Sequence, residues 1–327
     1  RRPRRTDLWI APMWVERRGP GPSGWLLLLT LGGGADCHRT PSATVAALDA
    51  SRETVSSAGS PCGELECAQF DAASEAVRSA LPPDVRVVAF GEAHAQRGAT
   101  ARSAASRFTA EILPDFAGHA SDLVVELMKP PQGCADAAAE VRQKQAPATA
   151  PQAPTNPNEY LAMGERARAL GIVPDMLRPS CADLDRVADA GDEAIEASLA
   201  LIARLTTAQA QRLLDRDARS AKDHDEAVLL YGGLLHNNLA PPPEQRAWTY
   251  APALDAKTGG RVVAIDLVVP EFIGTDKAWR KMPWVAQYDR ARLGNKVTRF
   301  RTGERSYVIV FAETGTPKGE TPPPVEH

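Results

Sequence analysis

Five apolar runs rich in β-branched residues constrain the fold of this 327-residue chain more than any other feature. They are Val85–Phe90 (VRVVAF), Leu123–Leu127 (LVVEL), Ala227–Tyr231 (AVLLY), Arg261–Val269 (RVVAIDLVV) and Tyr307–Phe311 (YVIVF). Hydrophobicity in them is near-continuous rather than alternating, so each strand is expected to be buried on both faces. Helix-compatible stretches lie between them: Arg97–Ile112, Asn158–Leu170 and the charged-apolar Ala182–Glu226. A further helix is expected over Phe70–Leu81, stopped by Pro82 and Pro83. Strand, helix, strand predicts the α/β class: a mostly parallel central sheet, helices on both faces, and a site at the carboxyl ends of the strands.

One segment breaks that rhythm. Residues 143–158 read QKQAPATAPQAPTNPN, and four prolines among Ala, Thr and Gln predict an irregular insertion. It is either a surface loop or a flap over a cleft, since long irregular loops in compact domains are often functional.

The N-terminal region has the layout of an export signal. Taking Met13 as the start, Arg17 and Arg18 precede the apolar run Trp25–Leu31 (WLLLLTL) and the small residues Gly32, Gly33, Gly34 and Ala35. That run is far short of the roughly 20 residues that cross a bilayer. Cys37 then invites acylation, with cleavage after Ala35 as the competing option. The chain has five cysteines, and the lipoprotein reading uses the odd one. The others suggest two disulfides, Cys62 with Cys67 and Cys134 with Cys181, as an exported protein allows. The expected organisation is a signal region (1–37), a flexible Ser/Thr/Ala-rich tether (38–60), one α/β domain (61–315) and a disordered tail (316–327), anchored in the cell envelope. Lys and Arg (38) are interspersed with Asp and Glu (41) for a net charge of −3, so no phosphate-tracking surface, and no nucleic-acid partner, is expected.

The polar residues just beyond the apolar runs carry the chemistry. After VVAF come Gly91, Glu92, Ala93 and His94; Glu126 lies in LVVEL, with Lys129 just after it. After AVLLY come Gly232, Gly233, Leu234, Leu235, His236 and Asn237. Two G-x-x-H turns and a carboxylate are thus expected on one rim of the sheet, with Gly91 and Gly233 letting the backbone turn sharply. Two neutral imidazoles with one or two carboxylates suit a divalent metal such as zinc, manganese or cobalt. Such an ion would acidify a bound water, with a spare Glu taking its proton. Without metal, Glu92 and His94 would still form an acid/base pair. His38, His119, His224 and His327 have no comparable surroundings.

Other residues carry two readings each. Asp266, inside an apolar run, needs a partner. Lys129 or Arg178 would make it structural, and a histidine would make it an orienting carboxylate. Arg97 and Asn237 are candidate substrate binders, Arg97 alternatively a solvated helix start. Trp248 and Tyr250 are cleft wall or packing. Nucleophile-elbow, phosphate-loop and dinucleotide motifs are absent from the sequence.

The order G-E-A-H (91–94), strand-borne Glu126 and G-x-x-H (233–236) resembles the clan that joins erythromycin-esterase-like, ChaN-like haem-uptake and Tiki/TraB-type proteins. The resemblance spans roughly Val85 to Phe311 and implies a site of Glu92, His94, Glu126 and His236. It also implies chemistries that differ among the branches: metal-dependent peptidase, lactone-opening esterase or haem binder. The chain departs from the esterase pattern in lacking a second histidine beside His94. It lacks a haem-ligating Tyr or Met near the motifs, apart from Met128 and Tyr231. The expectation is an exported, lipid-anchored, metal-dependent hydrolase acting on an ester, lactone or peptide bond of a small molecule or peptide. The alternatives are a haem- or metal-binding lipoprotein without catalysis, and a surface scaffold with a vestigial site.

Overall fold

A computed structural model describes residues 62–217, 226–274 and 277–314. The signal region, Cys37, the tether, His38, His224, His327 and the tail 316–327 lie outside the described residues.

In chain order the elements are β1 (Cys67–Phe70), α1 (Ala73–Arg78), β2 (Val87–Glu92), α2 (Ala104–Arg107), β3 (Ala120–Met128), α3 (Ala135–Thr149), α4 (Asn156–Ala169), β4 (Val173–Leu177), α5 (Cys181–Ala188), α6 (Ala194–Asp217), β5 (Ala227–Gly233), α7 (Ala251–Thr258), β6 (Val262–Val268), α8 (Lys277–Arg280), α9 (Arg290–Leu293), β7 (Val297–Arg301) and β8 (Ser306–Val310). Among the described residues they make one open eight-stranded sheet in the order β1-β7-β8-β6-β2-β5-β3-β4. β2 pairs in parallel with β5 and β6, β3 with β4 and β5, and β6 with β8; only β7 runs antiparallel, against β1 and β8. The α/β class and the mostly parallel sheet are therefore as expected.

The continuous apolar runs are explained by the two cores. Val88, Phe90, Leu123, Val125 and Leu229 face α1, the 104–116 segment and α4. Val87, Ala89, Val124, Val228 and Leu230 face α3, α5, α6 and α7. Successive side chains point to opposite faces, so a strand covered on both must be apolar throughout. Each fully buried Val, Leu, Ile or Phe contributes about 1.5–3 kcal/mol. β2 lies at the middle of the sheet and is buried along its whole length, with later strands on either side of it. The chain leaves it toward β3 and β4, then returns to lay β5 on one flank and β6 on the other. Such a reversal opens a crevice at the strand ends, where ligands bind in this architecture.

Several expectations need correction. The apolar-run search passed over β1, β4 and β7, strands at or near the sheet edges that carry Gln69, Pro174, Asp175 and Arg299. The helix expected over Phe70–Leu81 is confined to Ala73–Arg78. Arg97–Ile112 is helical only from Ala104, with a π-helical turn at Phe108–Ile112. Most important, residues 143–158 are largely helical. α3 runs through Pro147 to Thr149, and α4 begins at Asn156 with Pro157 in its first turn. The run ADAAAEVRQKQA is rich in strong helix formers and buries Ala138, Val141 and Gln145. Pro147 gives up one helical hydrogen bond and crowds the carbonyl four residues earlier, with only two helical residues left after it, whereas proline in a first turn gives up no bond.

Both disulfides form, Cys62–Cys67 with Cα atoms 6.0 Å apart and Cys134–Cys181 at 5.5 Å. The second joins the start of α3 to the start of α5, across 47 residues. Among the described residues no helix is long and apolar enough to cross a membrane.

Candidate active site

The three glycines at the strand ends are there for close approach. Gly91, Gly232 and Gly233 lie inside β2 and β5 and are not among the positive-φ glycines, so the expected glycine turns do not occur. Instead, a Cβ on Gly91 would come within 2.7 Å of Asn237 Nδ2, Asp266 Oδ1 and the Leu234 backbone. A Cβ on Gly232 would run into the Glu126 carboxylate. Side-chain-free backbone lets Glu126 reach across from β3, and its Oε2 accepts the Gly233 N–H at 2.7 Å.

Glu92 ends β2 with 1% of its surface exposed. A buried carboxylate needs donors, and Glu92 has three. His94 Nδ1 and the Tyr160 hydroxyl each lie 2.8 Å from Oε1, and the Tyr231 hydroxyl donates to Oε2 at 2.9 Å. Tyr160 comes from α4 and Tyr231 from β5, their rings meeting edge to face at 5.5 Å. Burial, reinforced by the Glu92 charge, drives both phenols well above their usual range, so they stay donors. Because a carboxylate only accepts, His94 holds its proton on Nδ1 and turns Nε2 into the site. Burial pulls the His94 imidazole down, but the Glu92 hydrogen bond with the charges of Glu92 and Glu126 outweighs it. The net result is a pKa raised above the ordinary 6.5.

A second carboxylate–imidazole pair faces the first. His236 is 1% exposed and holds its Nδ1 2.5 Å from the Trp248 carbonyl, while its Nε2 lies 3.7 Å from Glu126 Oε1. A carbonyl only accepts, so Nδ1 carries a proton, and the ring turns Nε2 toward Glu126. Glu126 is 4% exposed, and its Oε1 has no hydrogen-bond partner among the described residues. The two pairs meet at one spot. A Cβ built on Gly233 would lie 3.6 Å from His94 Nε2, 3.6 Å from Glu126 Oε2 and 3.8 Å from His236 Cδ2.

Glu92, His94, Glu126 and His236 are thus brought together from β2, β3 and the turn after β5. The other candidates stand elsewhere. Asn237 is buried, and its amide donates to Ala89 O at 3.3 Å and Asp266 Oδ1 at 3.0 Å. It pins the His236 turn to β2 rather than facing the site. That amide is also the partner of Asp266, in place of Lys129, which is exposed, and Arg178, which bonds Asp175. Burial raises the Asp266 carboxyl to about 7, against the Asn237 hydrogen bond. Arg97 is exposed, with its guanidinium on the Ala150 carbonyl. Its backbone joins a strap: Arg97 N–H donates to Pro151 O and Ala153 N–H to Ala95 O, both at 2.7 Å. Residues 150–153 therefore lie along the chain that follows His94.

The sequence reading missed Tyr160, although its buried stripe with Met163 and Ala167 pointed inward. It assigned Trp248 and Tyr250 to packing or a cleft wall, and named Tyr231 only beside the haem-ligand pattern. A buried phenol needs a hydroxyl partner, and that rule flags the tyrosines. No group of three or more His, Cys, Asp or Glu side chains among the described residues is arranged to hold a metal ion. Glu92 in particular is committed to its three donors. Comparison with protein-family models, curated proteins and solved structures finds no match to this chain.

Proposed function

We propose that the chain is a hydrolase that cleaves an ester, lactone or peptide bond with His94 as general base, in the manner of the esterase/Tiki-type clan it resembles. One observation carries this reading: His94, locked by Glu92 through Nδ1, turns its Nε2 to the spot that Glu126 and His236 also line. A carboxylate bonded to the far nitrogen fixes the tautomer and stabilises the imidazolium that forms. In the reaction a water oxygen bonds to the carbonyl carbon as its proton passes to His94 Nε2. The bond to the leaving oxygen or nitrogen then breaks, and that atom takes the proton from His94. Glu126 and His236, which line the same spot, orient the attacking water through its other proton.

The test uses the full chain against p-nitrophenyl esters, simple lactones and blocked peptides. His94→Gln is expected to lower turnover of whichever class is cleaved by 10²-fold or more, with the unfolding midpoint kept. Undiminished turnover in that variant, or no hydrolysis by the parent chain, would overturn the reading.

A divalent metal held by His94, His236 and Glu126 is a second reading. It is favoured by the Nδ1 hydrogen bonds of both histidines, the support that metal-ligating imidazoles use. These side chains would have to draw together, since they do not form a ligand set as they stand; a bound ion would supply charge to polarise a carbonyl. Metal analysis of the parent, His94→Ala and His236→Ala proteins decides it: stoichiometric metal lost in both variants supports the ion. A histidine-dependent Soret band on haem addition would move the assignment to haem binding.

The proposed location is the cell envelope, with Cys37 as lipid anchor. Two disulfides are compatible with export. Cys37→Ser is expected to release the protein from membranes, and a parent chain that never associates with them would end the anchor idea.

A further inference from the structure

Tyr250 stands directly against the second imidazole. Its backbone N–H donates to the His236 carbonyl at 3.0 Å, and its ring lies nearly parallel to the His236 ring, 18° apart with centroids at 6.4 Å. The residue is 2% exposed, yet its hydroxyl has no hydrogen-bond partner among the described residues. A buried, unpartnered hydroxyl is unfavourable, so packing alone does not account for it. The carboxylates that act on it are Glu126 of β3 and Asp266 of β6, which flank the ends of β2 and β5. The Tyr250 ring and backbone thus stand beside His236, one of the four residues of the candidate site. Burial, with those two charges, pushes the phenol far above its usual range. It is a buried donor, and Glu126 Oε1 is likewise without a hydrogen-bond partner among the described residues.

We propose that the Tyr250 hydroxyl donates a hydrogen bond to the carbonyl oxygen of the bond being cleaved. This rests on the hydrolytic reading above. As the water oxygen bonds to the carbonyl carbon, the carbon–oxygen π pair moves onto that oxygen. Tyr250 stabilises the charge there without giving up its proton, while His94 carries the proton taken from water. When the tetrahedral species collapses, the pair returns and the leaving atom departs with the His94 proton. A donor already aimed at the developing charge acts mainly on the transition state.

Tyr250→Phe in the full chain tests this, assayed on the p-nitrophenyl ester, lactone or blocked peptide that the parent cleaves. The expected result is a kcat about 100-fold lower with KM little changed, and an unfolding midpoint equal to or above the parent's, since no native hydrogen bond is lost. Unchanged kcat would overturn the proposal while leaving the hydrolytic reading intact. So would a fall in kcat matched by a fall in the unfolding midpoint, which marks a structural role. A parent chain without hydrolysis would remove both.

Discussion

At the residue scale, Glu92 organises the site. It is a fully desolvated carboxylate whose three donors come from three different segments, so its orientation is determined by the fold rather than by solvent. Removing one donor leaves a buried charge underpaired, which costs about 1–3 kcal/mol. Tyr160→Phe and Tyr231→Phe should each destabilise the protein by that amount in urea titration; a variant with unchanged stability would show that its hydrogen bond contributes nothing. For the proposed hydrolysis the same carboxylate would set the pH dependence. His94 acts as a base only when neutral, and its pKa is raised. Activity should therefore rise with pH along a limb centred above 6.5. In Glu92→Gln the largest remaining influence is burial, which lowers the value, so the limb should move toward acid. A limb that does not move would detach Glu92 from His94. Stability has the opposite sign: a raised folded-state value contributes fully below 6.5 and is lost as pH climbs through it. Glu92, His94, Glu126 and His236 were legible because polar residues at the ends of buried strands are conspicuous. Tyr160 was not, since nothing in its own helix reveals that its hydroxyl reaches β2.

At the element scale, legibility followed burial. Strands covered on both faces were visible as unbroken apolar runs, and β2, β3, β5, β6 and β8 all answer to that rule. β1 and β4 form the sheet edges, where short polar-containing strands suffice and where Pro174 guards against further pairing. α3 was misread because proline was weighed without its position; near a helix end it is tolerated. The disulfide between the starts of α3 and α5 closes a much longer loop than Cys62–Cys67, which are five residues apart. By loop-closure entropy the long bridge is worth about 4 kcal/mol and the short one about 2. Replacing Cys134 and Cys181 by Ser should lower the unfolding free energy about twice as much as replacing Cys62 and Cys67. Equal losses would mean that the chain-entropy account does not hold here.

For the whole molecule, the sheet order makes the site. Because β5 and β6 are inserted beside β2 late in the chain, residues as far apart as Glu92, Glu126 and His236 arrive at one end of the central strands. Chain order places β2 first among the parallel strands and gives no hint that β5 will separate it from β3. The sequence thus pointed to side chains that do come together, while the spot they share could be located only from the register. That spot is the central claim, and kcat/KM of Gly233→Ala measures it most directly. The added methyl would meet its neighbours at ordinary contact distances on a backbone that is not left-handed, so the fold should be retained. It would nonetheless occupy the point between His94, Glu126 and His236. The account predicts a folded protein with its unfolding midpoint preserved and kcat/KM reduced roughly 100-fold, the scale on which misplacement of a reacting group is felt. A Gly233→Ala protein that folds and turns over substrate at the parent rate would contradict it.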